Sequence, residues 1–205
     1  MLPPQEVAYA LQKPVDQAIS RLKNNPKLKA KTRKELESYI KTELNHIRNI
    51  SQLQANLATY QAATHDDEAF VSEAHDSDRL GKHMRASGLA KPAPRWEAHA
   101  IISGAHGEAD VLRAILALNN IRVDDPDNGA WLPKAERDRI GTDFPNAVVH
   151  GRIHRWHYYR WLEREITFEM DEQSIREALA KGDGIRHQLQ HSSFDPVVMK
   201  SKGET

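Results

Sequence analysis

Four groups of residues carry types and spacings suited to phosphodiester chemistry: His99 ahead of the apolar pair Ile101-Ile102, the turn Asn128-Gly129, and His150 and His154 in the run His150-Gly151-Arg152-Ile153-His154. Hydrolysis of a phosphodiester at one metal ion needs an ion to polarise the phosphate and stabilise the leaving oxygen, a base to activate water, and a group that fixes the base's direction. Histidines four positions apart lie about one helical turn apart, so His150 and His154 can point at one ion. His99 would add a third ligand from a strand packed on that helix. Imidazole-only ligation leaves coordination positions open for water and phosphate, as a catalytic site requires.

Other residues near this set admit two readings each. His157 follows His154 by three positions and is an alternative ligand, or it packs between Trp156 and Tyr158. His106, inside Gly104-Ala105-His106-Gly107, reads as a loop residue. Arg152 and Arg155, with Arg160, can hold nucleic-acid phosphates or simply cover a helix surface. Net charge does not decide, because 29 basic residues balance 29 acidic ones. Any nucleic-acid contact must therefore come from local patches. The absence of cysteine excludes disulfides, thiolate zinc sites and a cysteine nucleophile. No apolar stretch approaches the ~20 residues of a membrane span, and the first residues lack the basic-then-apolar layout of a secretory signal.

The elements that must position these groups follow from periodicity and punctuation. One or two short helices are expected over 5–25, with Pro14 at a helix start and Asn24-Asn25-Pro26 as a stop. A basic cluster (Lys23, Lys27, Lys29, Lys31, Arg33, Lys34) reads first as a solvated turn and helix start and second as a phosphate contact. From about Lys31 to Ala63, Leu36, Ile40, Leu44, Ile47, Ile50, Leu53, Leu57 and Tyr60 recur in steps of three and four, which predicts one long amphipathic helix. Residues 64–78 are acidic and polar and read as a linker. A short helix with a glycine stop is expected at Leu80–Gly88, a strand at Ala98–Ile102, a helix at Glu108–Leu118, a strand at Ile121–Val123 and a dense turn at Asp124–Gly129. A loop with a short helix lies between Leu132-Pro133 and Phe144-Pro145. An aromatic-rich helix, interrupted early by Gly151, runs from His150 to about Phe168, and a helix capped by Asp171 runs to Ala180. The tail from Asp183 is expected to be loosely ordered. The fold class is mainly α with a small β component.

The ordered combination resembles the AHH family of nuclease toxin domains, within the HNH/endonuclease VII (ββα-metal, His-Me finger) group. The resemblance covers roughly residues 79–165, through Leu80–Gly88, Ala98-His99 with Ile101-Ile102, Val111–Leu118, Asn128-Gly129-Ala130-Trp131-Leu132-Pro133, His150-x3-His154 and Tyr158-Tyr159. It implies a ββα-metal nuclease core over 76–170, preceded by a helical region and linker over 1–75 and followed by a helix and tail over 171–205. It also implies that His99, His150 and His154 are metal ligands and that Asn128 orients the general base. That base would be the second histidine of the Ala-His-His run, and this chain has Ala100 there. A methyl group accepts no proton, and loss of a general base costs ~10²–10⁴-fold in rate. The chain as written is thus expected to be inactive. With every other part intact, a His→Ala change in a working nuclease is the expectation over natural loss of function.

The resemblance further implies metal-dependent cleavage of DNA by the toxin domain of a larger secreted antibacterial effector. That effector would be delivered into the cytoplasm of a target bacterium, and a cognate immunity protein would protect the producer. The cofactor would be a divalent ion, Zn²⁺ or Ni²⁺ at rest with Mg²⁺ or Mn²⁺ for turnover. Two other readings stay open: an RNase on the same scaffold, and a non-catalytic module whose histidines bind metal or support a partner-binding surface.

Overall fold

A computed structural model describes residues 33–62, 66–200 and 203. The expected helices over 5–25, and all of the basic cluster before Arg33, lie outside them. The chain divides into two compact units, Met1–Ala63 and Thr64–Thr205. In the first, the long helix is α1 (Arg33–Gln61). Among the described residues, no helix is long and apolar enough to cross a membrane.

The second unit is mostly helical around a two-stranded antiparallel sheet. In chain order it holds α2 (Asp67–Val71), α3 (Ser77–Ala86), β1 (Trp96–Ala100), α4 (Asp110–Leu118), β2 (Gly129–Pro133), α5 (Trp156–Glu165), α6 (Glu172–Ala180) and α7 (Ile185–His191). The register pairs Ala98 with Trp131, His99 with Ala130 and Ala100 with Gly129. Because side chains alternate along a strand, the sheet has two distinct faces. Trp96, Ala98 and Ala100 join Trp131 in an apolar cluster with Leu80 and Met84 of α3. Ala130 and Leu132 face the larger core, with Leu112, Ile115 and Leu116 of α4, Tyr158, Tyr159 and Leu162 of α5, and Ile175, Leu179, Ile185 and Leu189 of α6 and α7. Gly81 lets α3 approach: a Cβ there would sit 3.2 Å from the Trp131 ring.

Three expectations need correction. Of the stretch 64–78 expected as a linker, the described residues 66–78 are folded: Asp66 caps α2, Asp76 caps α3, and Phe70 is buried. Of the acidic side chains that suggested solvation, Asp66 and Asp76 are helix caps and Glu73 is an ion-pair partner. Buried Asp124 accepts from His75 Nδ1 at 2.5 Å, from the Asp76 amide at 3.0 Å and from Arg79 Nε at 2.6 Å. Arg122 pairs with Glu73 at 2.7 Å. Second, the strand pairing with β1 is Gly129–Pro133 rather than Ile121–Val123. Ile121 and Val123 are buried but lead into the turn that Asp124 and Asn128 hold. Third, the stretch beyond Asp183 forms α7 and a 3₁₀ turn (Pro196–Met199), with Leu189 and Val198 in the core. Arg186 of α7 donates to the carbonyl oxygens of Gly129 (2.6 Å) and Pro126 (2.5 Å), tying this C-terminal region to the start of β2.

Candidate metal centre

His99, His150 and His154 come together: one ring nitrogen from each lies within 4.8 Å of the others. The rings of His99 and His150 are 5.1 Å apart, and those of His99 and His154 are 4.8 Å apart. His99 projects from β1 on the face away from α3, opposite Ala130, whose methyl leaves room for the imidazole.

The other two ligand candidates converge by a route different from the expected one. His150 opens a 3₁₀ turn (His150–Arg152), and α5 begins only at Trp156. The pair therefore does not ride on one α-helix. His154 sits in the break between them with φ 43°, in the left-handed region. Histidine is among the few non-glycine types enriched there, but the conformation still costs of order 1 kcal/mol. Ile153, 3% exposed, anchors the break in the core. The bend lets two side chains on an irregular turn face one point.

Each of these two imidazoles has its Nδ1 engaged. His150 Nδ1 donates to Glu97 Oε2 at 2.8 Å, and His154 Nδ1 lies 2.7 Å from the Tyr159 hydroxyl. Such partners fix the ring's orientation and tautomer and leave Nε2 for an ion. Glu97 also pairs with Lys134 at 2.7 Å. The Lys134 hydrogen bond, followed by that of His150, holds its carboxyl below the usual range.

His99 differs, being 1% exposed with neither ring nitrogen hydrogen-bonded. A buried polar group without a partner costs about 1–3 kcal/mol, so an orphaned imidazole between two others calls for an occupant. Burial, then the neighbouring charges of His154 and His150, hold His99 well below the ordinary histidine range. Burial, then His150 and His106, lower His154 to about 4. All three donors fit a divalent cation, because neutral imidazole is the ligating form.

The remaining candidate residues fall as follows. Asn128 is fully buried, but its side chain is taken up by backbone. Its amide donates to the carbonyls of Ile102 (3.0 Å) and Val123 (2.8 Å), and its oxygen accepts from the Ile102 amide (2.8 Å). These bonds lock the end of β1 to the turn before β2. Ala100 is 3% exposed, with its methyl in the α3-facing cluster, on the opposite side of the strand from the His99 imidazole. His157 is not in the triad; its ring meets Trp156 edge-on at 4.8 Å. Arg152 pairs with Glu136 at 2.9 Å, and Arg155 occupies the position preceding α5. His106 is more than a loop residue: its ring stacks on Tyr159 at 4.7 Å and lies 6.2 Å from that of His154. Glu97 escaped the sequence reading, and Tyr159 entered it only as part of the aromatic pair Tyr158-Tyr159. A signal existed for Glu97, since it precedes His99 by two positions and so shares its strand face.

A family model described as AHH, a nuclease family of the HNH/ENDO VII superfamily with conserved AHH, matches residues 80–192. The chain belongs to this family. No curated protein and no solved structure matches the chain. Nucleases of the HNH type use divalent metals, in keeping with a His triad able to bind one.

Proposed function

We propose that this member of the AHH nuclease family is a metal-dependent DNA endonuclease domain whose ion is held by His99, His150 and His154. The single observation that carries the reading is the buried, unpartnered His99 imidazole facing two histidines whose other nitrogens are already oriented. A divalent ion at this point would polarise the scissile phosphodiester and stabilise the leaving oxygen. Three imidazoles favour Zn²⁺ or Ni²⁺ at rest, with Mg²⁺ or Mn²⁺ supporting turnover. Glu97 and Tyr159 keep the His150 and His154 rings aimed, and the low proton affinity of His99 and His154 keeps them available at neutral pH. The resemblance to nuclease toxin domains supports a place in a larger secreted antibacterial effector, delivered to the cytoplasm of a target bacterium and neutralised in the producer by an immunity protein.

The chain as written lacks the family's second histidine, and the intact remainder of the site supports Ala100 as a substitution in an otherwise working nuclease. Position 100 faces α3, where a Cβ on the opposing Gly129 would already meet Met84 at 2.7 Å and Leu80 at 3.0 Å. Ala100→His therefore requires those side chains to yield, at a cost of about 1–3 kcal/mol, which the flexible thioether of Met84 eases. The test compares the parent and Ala100→His on supercoiled plasmid and on total RNA, with Mg²⁺ or Mn²⁺ and with excess EDTA, folding being checked by circular dichroism. Metal-dependent nicking and linearisation by Ala100→His alone is the expected result. RNA cleavage without DNA cleavage would make the domain an RNase. A folded Ala100→His that cleaves neither would refute the enzyme.

A further inference from the structure

A groove of about 410 Å³ runs between α3 and the two strands, bounded by Ala98 and Trp131 on the face away from His99 and by Glu97 on the face it shares with His99. Its walls carry four cations, Lys82, Arg85, Lys91 and Lys134, against two carboxylates, Asp78 and Glu97. Glu97 is already matched by Lys134 and His150. Lys82, Arg85 and Lys91 are exposed, and the last two bracket Trp131, with the guanidinium carbon 6.0 Å and the ammonium 5.7 Å from its ring centroid. The amide groups that open α3 are capped by Asp76, so anion attraction here rests on side chains. At one end the groove reaches His150, which is also a member of the triad.

Resting on the nuclease reading, we propose that this groove is the track of the substrate's phosphate backbone. Lys82, Arg85 and Lys91 hold DNA phosphates flanking the scissile one, which passes Glu97 and His150 to reach the triad. The two tryptophans of the groove do not serve as base platforms. Trp96 is 0% and Trp131 4% exposed, and their indole N–H groups donate to the carbonyls of Asp138 and Leu89. A cationic wall without exposed stacking surface reads backbone rather than bases, which makes cleavage sequence-nonspecific.

The test uses the full chain and the triple variant Lys82→Gln/Arg85→Gln/Lys91→Gln. Anisotropy of a short labelled duplex is followed from about 50 to 200 mM salt, and Zn²⁺ binding is followed by calorimetry. Each lost phosphate contact removes about 0.9 from the slope of log K against log salt. The variant is expected to lose roughly 2–3 of slope while binding Zn²⁺ as the parent does. An unchanged slope overturns the groove and leaves the nuclease reading standing. A parent that takes Zn²⁺ but binds no duplex overturns both the groove and the DNA substrate. If the triple variant also loses Zn²⁺, the three single variants decide: each loses about one unit of slope if the groove holds phosphate, and none does if it does not.

Discussion

Replacing His99 by leucine separates the energetic cost of the metal centre from its benefit. In the metal-free chain His99 is buried with two unpartnered ring nitrogens, each a polar group taken from water without compensation. Leucine has a similar volume and no polar atom. The change removes a penalty of about 1–3 kcal/mol and loses the ring contacts to His150, His154 and Tyr158. His99→Leu is therefore expected to raise the stability of the EDTA-treated chain by about 1–3 kcal/mol, or about 2–4 °C in Tm per kcal/mol at this chain length. Metal reverses the order. At an ion concentration of about 100 Kd the parent gains about 2.7 kcal/mol, whereas two remaining imidazoles give the variant little. Thermal melts at neutral pH with EDTA and with Zn²⁺ read both arms. The reasoning fails if His99→Leu melts lower than the parent in EDTA, since His99 would then be a satisfied core residue. It fails equally if Zn²⁺ raises both melting temperatures alike.

Two further outcomes follow from the same residues. His154, lowered to about 4, and His99, lowered in the same sense, stay neutral in the fold while the unfolded chain protonates them near the ordinary histidine value. The unfolded state thus binds more protons below that value, so stability is complete above about pH 6.5 and falls as pH drops towards 4. His154 alone accounts for about 2 kcal/mol by about pH 5; equal urea midpoints at neutral pH and at this pH would contradict it. Asn128→Ala strands the Ile102 amide and the carbonyls of Ile102 and Val123 in a buried turn, and should lower stability by about 2–4 kcal/mol with Zn²⁺ affinity unchanged. Unchanged urea stability, with activity lost in the Ala100→His background, would instead give Asn128 the base-orienting role.

The site was legible where chemistry alone dictated residue type, and illegible where geometry came from irregular backbone. His99, His150 and His154 were identifiable because few other patterns bring a strand histidine and a His-x3-His pair together. Their convergence was attributed to a helix, yet it arises from a 3₁₀ turn and a left-handed residue at His154. No periodicity encodes that conformation, and Gly151 was the only local hint of a break. Asn128 was singled out as a base-orienting residue, but a fully buried amide beside a turn has backbone partners first, which only the register could reveal. The helices α3, α4 and α6 were readable from caps and apolar spacing. The acidic stretch before α3 was not, because Asp66, Glu73 and Asp76 make the same composition as a solvated linker while capping helices or pairing with arginine.

That acidic stretch bears on the site itself. His75 packs against Gly104, where a Cβ would stand 2.7 Å from that of His75. Its Nδ1 meets Asp124, the same carboxylate that accepts from Arg79 of α3. Gly104 lies between the end of β1 and His106, whose ring stacks on the Tyr159 that orients His154. The segment ahead of α3 thus braces the loop leaving β1, and His75 is also among the charges that lower His99 and His154. A family match that begins at residue 80 therefore omits part of what shapes the triad's surroundings. A fragment cut at that boundary would lose His75, the Asp76 cap and the Arg79–Asp124 pair together. Metal and DNA binding are therefore best measured on the full chain.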